Sequence, residues 1–181
     1  MALLKIARMG HPVLFRRADP VADPTDPAIR RLVADMAETM EDAGGIGLAA
    51  PQVHVPLRLF VWRGGAGNVL ALINPAIEPM GAEMEEAFEG CLSIPGLRGM
   101  VPRAARIRFR GLDIEGRPVE GEAAGLAARV IQHEYDHLDG VLYPMRMTDF
   151  GKFGFTEELA RAAQAAAARE ARGEAQGEAN P

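Results

Sequence analysis

Two histidines four residues apart, His133 and His137, lie in the segment VIQHEYDHLDG. Their side chains share one face only if the segment is an α-helix, because residues i and i+4 are one helical turn apart. A helix would let both imidazoles bind one metal ion. Glu134 directly follows the first histidine, so HEYDH matches the H-E-x-x-H motif, in which the histidines bind a metal and the glutamate acts as general base on water.

The same helix face carries apolar residues. Leu126 and Val130 precede His133 at helical spacing, so we expect this face to point inward, where metal ligands are usually buried. The motif alone also fits two hydrogen-bonded core histidines and a solvated glutamate, and a pattern of five residues can arise by chance. A catalytic site needs a third protein ligand and an open position for water.

The rest of the chain offers few donors for that third position. The other histidines are His11 and His54, and Cys91 is the single cysteine. No histidine follows His137, so the extended zincin pattern with a later histidine is absent. As a thiolate, Cys91 would bind a divalent metal strongly. The alternative for Cys91 is a small buried apolar residue, which is common for a free cysteine.

Composition restricts the class of protein. The chain has 181 residues, 48% of them hydrophobic, which fits one globular domain with a core and a cleft. The net charge of -5 gives no general attraction for nucleic acid or anionic lipid. The N-terminal MALLKIARMGHPVL lacks the apolar region of a signal peptide, and no run approaches the ~20 residues that span a bilayer. With one cysteine, no intramolecular disulfide is possible, so we expect a reducing, cytoplasmic location.

Three segments are predicted to be helices. PAIRRLVADMAETMEDAGG repeats apolar residues at helical spacing and predicts an N-terminal amphipathic helix. The segment from Ala123 to about residue 139 predicts the central helix with the HExxH motif, ended by Gly140 in a left-handed conformation. The alanine-rich C-terminal segment predicts a third helix, with Thr156 as N-cap and a disordered tail over residues 173–181.

Strands are predicted between these helices. LRLFVW and VLALINP, separated by the turn-like RGGAGN, predict an antiparallel pair. Short extended segments are predicted in EEAFEGCLSIPG, ARIRFRGLDIEG and RPVEGEA. The order of elements indicates an α+β fold, with mostly antiparallel sheets around the central HExxH helix.

Three motifs occur in one order in this chain: GIGLAAPQ (Gly45–Gln52), EGCLS (Glu89–Ser93) and QHEYDH (Gln132–His137). Together they closely resemble the peptide deformylases, and the likeness covers most residues from about 5 to 155. The resemblance implies one catalytic domain over residues 1–172. It also implies hydrolysis of the N-formyl group from the formylmethionine that begins nascent bacterial-type polypeptides, with release of formate.

The resemblance also implies the roles of individual residues. The implied metal ligands are Cys91, His133 and His137, with water in the fourth position. Hydroxide formed on the metal would attack the formyl carbon, while Glu134 acts first as general base and then as acid. The side-chain amide of Gln52 and the backbone N–H of Leu92 would stabilise the charge that develops on the formyl oxygen. The alternative for Gln52 is an exposed loop amide.

Substrate binding follows from the same resemblance. Ile46, Gly47 and Gly90 would form main-chain hydrogen bonds with the peptide, like an added strand. Ile46, Leu126 and Val130 would line an apolar pocket for the methionine side chain. From the residues alone, Gly47 also fits an ordinary turn, and the apolar residues also fit an ordinary core.

The implied cofactor is one divalent metal ion per chain, Fe(II) in the cell. Cys-His-His ligation also accommodates Zn(II), Ni(II) or Co(II) in purified protein. The implied partners are N-formylmethionyl peptides of nascent chains, with transient ribosome association, and the family default is a monomer. The sequence shows no nucleic-acid motif and no membrane segment. Arg129 stands among small or apolar residues, and we expect it to lie apart from the chemistry.

Two other functions stay open at this point. An HExxH metallopeptidase that cuts internal peptide bonds would share the metal and the base but would need a longer cleft. A non-catalytic metal-binding homologue would lack the base or the oxyanion donor, yet Glu134 and Gln52 are both present. Formyl, acetyl and unblocked peptides separate these possibilities.

Overall fold

The computed structural model describes residues 2–65 and 67–172 of the chain. Within them the fold is α+β, which confirms the prediction. The helices are α1 (Pro27–Asp42), α2 (Gly125–Leu138) and α3 (Thr156–Ala171). The strands are β1 (Gly47–Ala49), β2 (Leu59–Arg63), β3 (Val69–Pro79), β4 (Met84–Cys91), β5 (Ile94–Ala104), β6 (Arg106–Leu112), β7 (Pro118–Ala124) and β8 (Phe153–Phe155). The predicted tail, 173–181, lies outside the described residues.

The strands form two antiparallel sheets. One has the order β1-β2-β3-β6-β7, and the other has the order β4-β5-β8. The predicted pairing of β2 with β3 is confirmed, with Leu59 opposite Ile73. In the smaller sheet, β4 pairs with β5 until the register shifts between Gly90 and Cys91. The shift leaves Cys91 at the end of the pairing, next to α2.

The larger sheet is covered on both faces. Successive side chains of a strand point to opposite faces. Phe60 and Trp62 of β2 therefore join the buried cluster around α2, whereas Leu59 and Val61 join the cluster around α1. Burial on both faces explains why LFVW, residues 59–62, is a continuous apolar run without alternation.

Helix α1 follows the sequence prediction closely. Asp26 caps it by accepting a hydrogen bond from the backbone N–H of Ala28 at 2.8 Å. Its inward face buries Ile29, Met36 and Met40. Each such side chain contributes roughly 1.5–3 kcal/mol when it is fully removed from water, so packing stabilises this helix more than the cap does.

Helix α2 lies at the centre of the molecule. It begins at Gly125 and not at Ala123, because Ala123 and the next residue complete strand β7. The chain leaves the helix through Gly140, which has a φ of 74°. A Cβ at Gly140 would lie 2.8 Å from the backbone carbon of Phe15, so only glycine fits this turn.

One local prediction was incomplete and one was wrong. The predicted extended segment EEAFEGCLSIPG covers only the first residues of β5, the central strand of the smaller sheet, which contains two prolines. The predicted N-cap at Thr156 was wrong: Phe155 occupies the cap position, and Thr156 is the first residue of α3, with its hydroxyl donating to the carbonyl oxygen of Gly96 at 3.2 Å. In the described part of the chain, no helix is long and apolar enough to cross a membrane.

Candidate metal centre

Two elements bring the three proposed ligands together. Cys91 ends β4, and His133 and His137 lie one turn apart on α2. The Sγ atom of Cys91 is 3.3 Å from Nε2 of His137, and the three ligand atoms all lie within 4.8 Å of one another. In a tetrahedral site with metal–sulfur and metal–nitrogen bonds of ~2.3 and ~2.0 Å, such ligand atoms are about 3.5 Å apart. The arrangement therefore fits one divalent metal ion.

A buried carboxylate orients the first histidine. Nδ1 of His133 lies 2.8 Å from Oε2 of Glu89. Burial alone would raise the pKa of Glu89, but hydrogen bonds from His133 and Arg103 lower it to about 2, so the carboxylate is ionised and the imidazole N–H must be the donor. The proton on Nδ1 leaves Nε2 of His133 as the nitrogen that binds a metal.

Arg103 on β5 joins two carboxylates of this network. It donates from Nε and Nη2 to Glu89 at 2.9 and 3.0 Å and from Nη1 to Asp136 at 2.6 Å. Arg146 donates to Asp136 from Nη2 at 2.7 Å. Burial acts to lower the pKa of Arg103, but pairing with Glu89 and Asp136 raises it. The network holds the Glu89 carboxylate in one orientation.

The two histidines differ in their affinity for protons. Burial, followed by the nearby charge of His133, lowers the pKa of His137 well below its usual value. Burial also acts to lower the pKa of His133, but hydrogen bonds to Cys91 and Glu89 raise it to about 10. His137 therefore offers a free lone pair near neutral pH, whereas a metal must displace a proton from His133. Such competition makes metal affinity increase with pH.

Glu134 lies beside the ligands with one free oxygen. The side chain is buried, and its Oε2 has no hydrogen-bond partner within the residues described. Burial raises the pKa of Glu134 to about 7, although the charge of His133 acts in the opposite direction. A carboxylate with this pKa both accepts and returns a proton near neutral pH. A Cβ at Gly47 would overlap Oε1 of Glu134, so glycine is needed here for this close approach and not only for a turn.

Gln52 is buried, so it is not an exposed loop amide. Its Oε1 accepts a hydrogen bond from the backbone N–H of Ala49 at 2.8 Å, which fixes the orientation of the amide. Its Nε2 then donates to Sγ of Cys91 at 3.4 Å and to the hydroxyl of Ser93 at 3.2 Å. The amide N–H groups therefore point towards the proposed ligands, and Leu92 lines the same cavity.

Two of the proposed ligands, Cys91 and His133, line a cavity of about 520 Å³ between the β1 segment, β4 and α2. All five proposed substrate-binding residues line it: Ile46, Gly47, Gly90, Leu126 and Val130. Val130 is buried as expected, but the prediction that Leu126 points inward was wrong, because it is 68% exposed. Leu126 lies on the first turn of α2, where the helix meets solvent, and forms part of the cavity rim.

Comparison with known proteins identifies the family. A sequence model of the polypeptide deformylases matches residues 3–153. The chain belongs to the polypeptide deformylase family. It is 50% identical over 163 residues to "Peptide deformylase 2" of Bordetella bronchiseptica, which covers 85% of this chain and 93% of that protein. It is 47% identical over 169 residues to "Peptide deformylase 1" of Prochlorococcus marinus, which covers 88% of each chain.

Solved deformylase structures share the fold. The peptide deformylase of Thermotoga maritima superposes with a TM-score of 0.78 at 41% identity, covering 82% of this chain and 100% of that one. The Synechococcus elongatus enzyme, solved in complex with actinonin, also gives a TM-score of 0.78, at 39% identity, covering 91% of this chain and 86% of that one. The fold of this chain is therefore the fold of solved peptide deformylases.

Arg129 of this deformylase lies closer to the site than the sequence suggests. Its hydrogen bonds with the described residues do not involve the proposed ligands or Glu134, but its Nη1 donates at 2.8 Å to Oε1 of Glu89, the carboxylate that orients His133. Sequence analysis also missed the network of Glu89, Arg103 and Asp136. Glu89 and Asp136 lie inside the EGCLS and HEYDH motifs, but nothing in the sequence pairs them with an arginine on another strand.

Proposed function

We propose that this protein removes the N-formyl group from the N-terminal formylmethionine of nascent polypeptides and releases formate, through the residues named below. Membership of the polypeptide deformylase family makes the chain a hydrolase of N-formyl peptides. The single observation that carries the residue-level proposal is the meeting of Cys91, His133 and His137 within 4.8 Å, beside Glu134 and a cavity.

The metal and Glu134 have separate roles. A divalent ion held by Cys91, His133 and His137 would supply Lewis acidity and lower the pKa of water. Glu134 takes a proton from the attacking water and later gives it to the amine that leaves. Its carboxylate is buried beside the ligands, and Oε2, which has no partner among the described residues, is the oxygen available to hold that proton.

Gln52 and Leu92 are proposed to stabilise the formyl oxygen as it becomes negative. Gln52 is held by Ala49, so its Nε2 is fixed before substrate binds. Donors that need no reorganisation lower a barrier most, and removing one such donor typically costs a factor of ~10²–10³ in rate. The amide of Gln52 does not titrate, so it donates throughout the working pH range.

The substrate peptide is proposed to bind between β1 and β4. Ile46 precedes β1, and Gly90 lies near the end of β4, an edge strand of its sheet. Backbone groups there, with those of Gly47, would pair with the peptide like an added strand. Val130 and Leu126 are proposed to contact the methionine side chain, Val130 within the cavity wall and Leu126 at the rim.

Fe(II) is the proposed ion in the cell. A donor set of one thiolate and two imidazoles suits borderline-soft divalent ions, so Zn(II), Ni(II) or Co(II) are also expected to bind. Nascent chains are the proposed partners, which implies a cytoplasmic location and transient association with the ribosome. We further propose that the protein is a monomer and that residues 1–172 form one catalytic domain. The packing of α2 against strands of both sheets supports the single domain.

Three blocked or unblocked forms of one peptide test this function. Protein purified without oxygen and loaded with Fe(II) is given formyl-Met-Ala-Ser, acetyl-Met-Ala-Ser and Met-Ala-Ser. The proposal predicts rapid release of formate and no cleavage of the other two peptides. Cleavage of internal bonds would identify a metallopeptidase instead, and no reaction with any peptide by the fully loaded protein would identify a non-catalytic homologue.

A further inference from the structure

The proposed ligands come from two different elements. Cys91 belongs to β4, and His133 and His137 belong to α2. In the described part of the chain, side chains of α2 reach β4 directly through four hydrogen-bonding contacts. Two of these involve the proposed ligands themselves. Arg129 makes the other two, so it joins the two elements directly without being a ligand, whereas Arg103 links Asp136 to Glu89 only by way of β5.

The contacts of Arg129 are directed at three acceptors. Its Nη1 donates to Oε1 of Glu89 and to the carbonyl oxygen of Val101, both at 2.8 Å, and its Nη2 donates to the carbonyl oxygen of Glu85 at 2.6 Å. The side chain is only 7% exposed. A buried guanidinium that donates in a planar fork has little freedom to move, so these bonds fix the distance between α2 and the β4–β5 pair.

Arg129 also acts on His133 through a shared carboxylate. The two residues are four apart on α2, so they lie on the same helix face. Glu89 accepts from Arg129 at Oε1 and from His133 at Oε2. Glu89, which orients the ring of His133, is therefore hydrogen-bonded to Arg129, which holds α2 against β4 and β5.

We propose that Arg129 is a positioning residue that aligns the cysteine-bearing strand with the histidine-bearing helix, so that the metal ligands are in place before the ion binds. The proposal rests on the ligand set given under Proposed function. Residues that orient metal ligands typically change metal affinity by a factor of ~10–100 when they are replaced. Removal of Arg129 should therefore weaken metal binding although no ligand is touched.

Arg129→Met tests the proposal, because methionine keeps the apolar stem and removes the fork. Arg58→Met is the matched control: Arg58 is equally buried at 7% and also holds α2, but by its far end, through Leu138 and Asp139. Co(II) affinity is measured by competition with a chelator, together with the thiolate-to-cobalt absorption band. We expect at least tenfold weaker Co(II) binding and a shifted band in Arg129→Met, and wild-type values in Arg58→Met.

Arg129→Lys provides the second variant and carries the comparison if Arg129→Met does not fold. Lysine keeps the charge but cannot donate in a planar fork to three acceptors, so affinity should recover only in part. Any of three results would overturn the proposal. Arg129→Met could keep the wild-type Co(II) affinity and absorption band, Arg58→Met could lose as much Co(II) affinity as Arg129→Met, or Arg129→Lys could recover the full Co(II) affinity. Formate release by the wild type is assayed in parallel. If the wild type binds Co(II) through its thiolate but releases no formate, the proposed function is refuted, while the comparison of metal affinities in the Arg129 variants still stands.

Discussion

A methyl group at Gly47 tests the position of the proposed base without changing any ligand. In the structure, a Cβ at this position would overlap Oε1 of Glu134 and would lie 2.8 and 2.9 Å from its Cδ and Cγ. Non-bonded carbon atoms are normally about 3.5 Å apart, so the carboxylate must withdraw by about 0.7 Å. A misplacement of ~1 Å in a catalytic group can cost ~10²-fold in rate. We expect Gly47→Ala to lower kcat by about 10–100-fold, or about 1.4–2.7 kcal/mol in barrier height.

The assay is formate release from formyl-Met-Ala-Ser, with bound metal quantified in each sample. Gly65→Ala is the control, because a Cβ at Gly65 meets no atom within 4 Å. Gly47→Ala should keep the metal content of the wild type, since the substitution does not touch Cys91 or the histidines. A kcat within twofold of the wild type, or a loss of metal in place of a loss of rate, would refute the reasoning.

Three further predictions concern single residues. Gln52→Glu keeps the acceptor for Ala49 but removes the donor, so kcat at saturating formyl peptide should fall by at least ~10²-fold; a smaller effect would remove Gln52 from the oxyanion site. Cys91→Ser should lose most bound metal on dialysis, as measured by elemental analysis, and unchanged content would exclude Cys91 as a ligand. Glu89 has its pKa lowered from 4.5 to about 2, so it contributes about 3 kcal/mol of stability above pH ~4.5 that is lost as pH falls towards 2. The melting temperature of the metal-free protein should therefore fall more steeply between pH 5 and 3 in the wild type than in Glu89→Gln. Equal slopes would contradict the pairing of Glu89 with His133 and Arg103.

The elements with local patterns were predictable from the sequence. Apolar residues at helical spacing predicted α1, and Ile29, Met36 and Met40 of that stripe are buried. The pair of β2 and β3 followed from two apolar runs around a turn. The HExxH spacing predicted that His133 and His137 share a helix face, and both lie buried on α2. In each case the signal depends on neighbours within a few residues, so no knowledge of the tertiary fold was needed.

Features that depend on distant residues were not predictable in this way. Only the start of β5 lay in a predicted extended segment; its two prolines weaken the local preference for a strand, but its pairing with β4 and β8 overrides that preference. Leu126 fits the apolar stripe of α2, yet it is 68% exposed, because it lies on the first turn at the rim of the cavity. Arg129 has no local feature that distinguishes it from a solvated charge, because its acceptors lie on two strands some 28–44 residues earlier in the chain.

The central claim is that Glu134 exchanges the proton at a metal held by Cys91, His133 and His137. The most direct measurement compares formate release by the Fe(II)-loaded wild type with that of Glu134→Gln at equal metal content. Glutamine has nearly the same shape as glutamate but cannot accept and return a proton at this pH. The account predicts that Glu134→Gln binds the metal fully and loses ~10²–10⁴-fold in kcat. A variant that keeps both its metal and its rate would contradict the account.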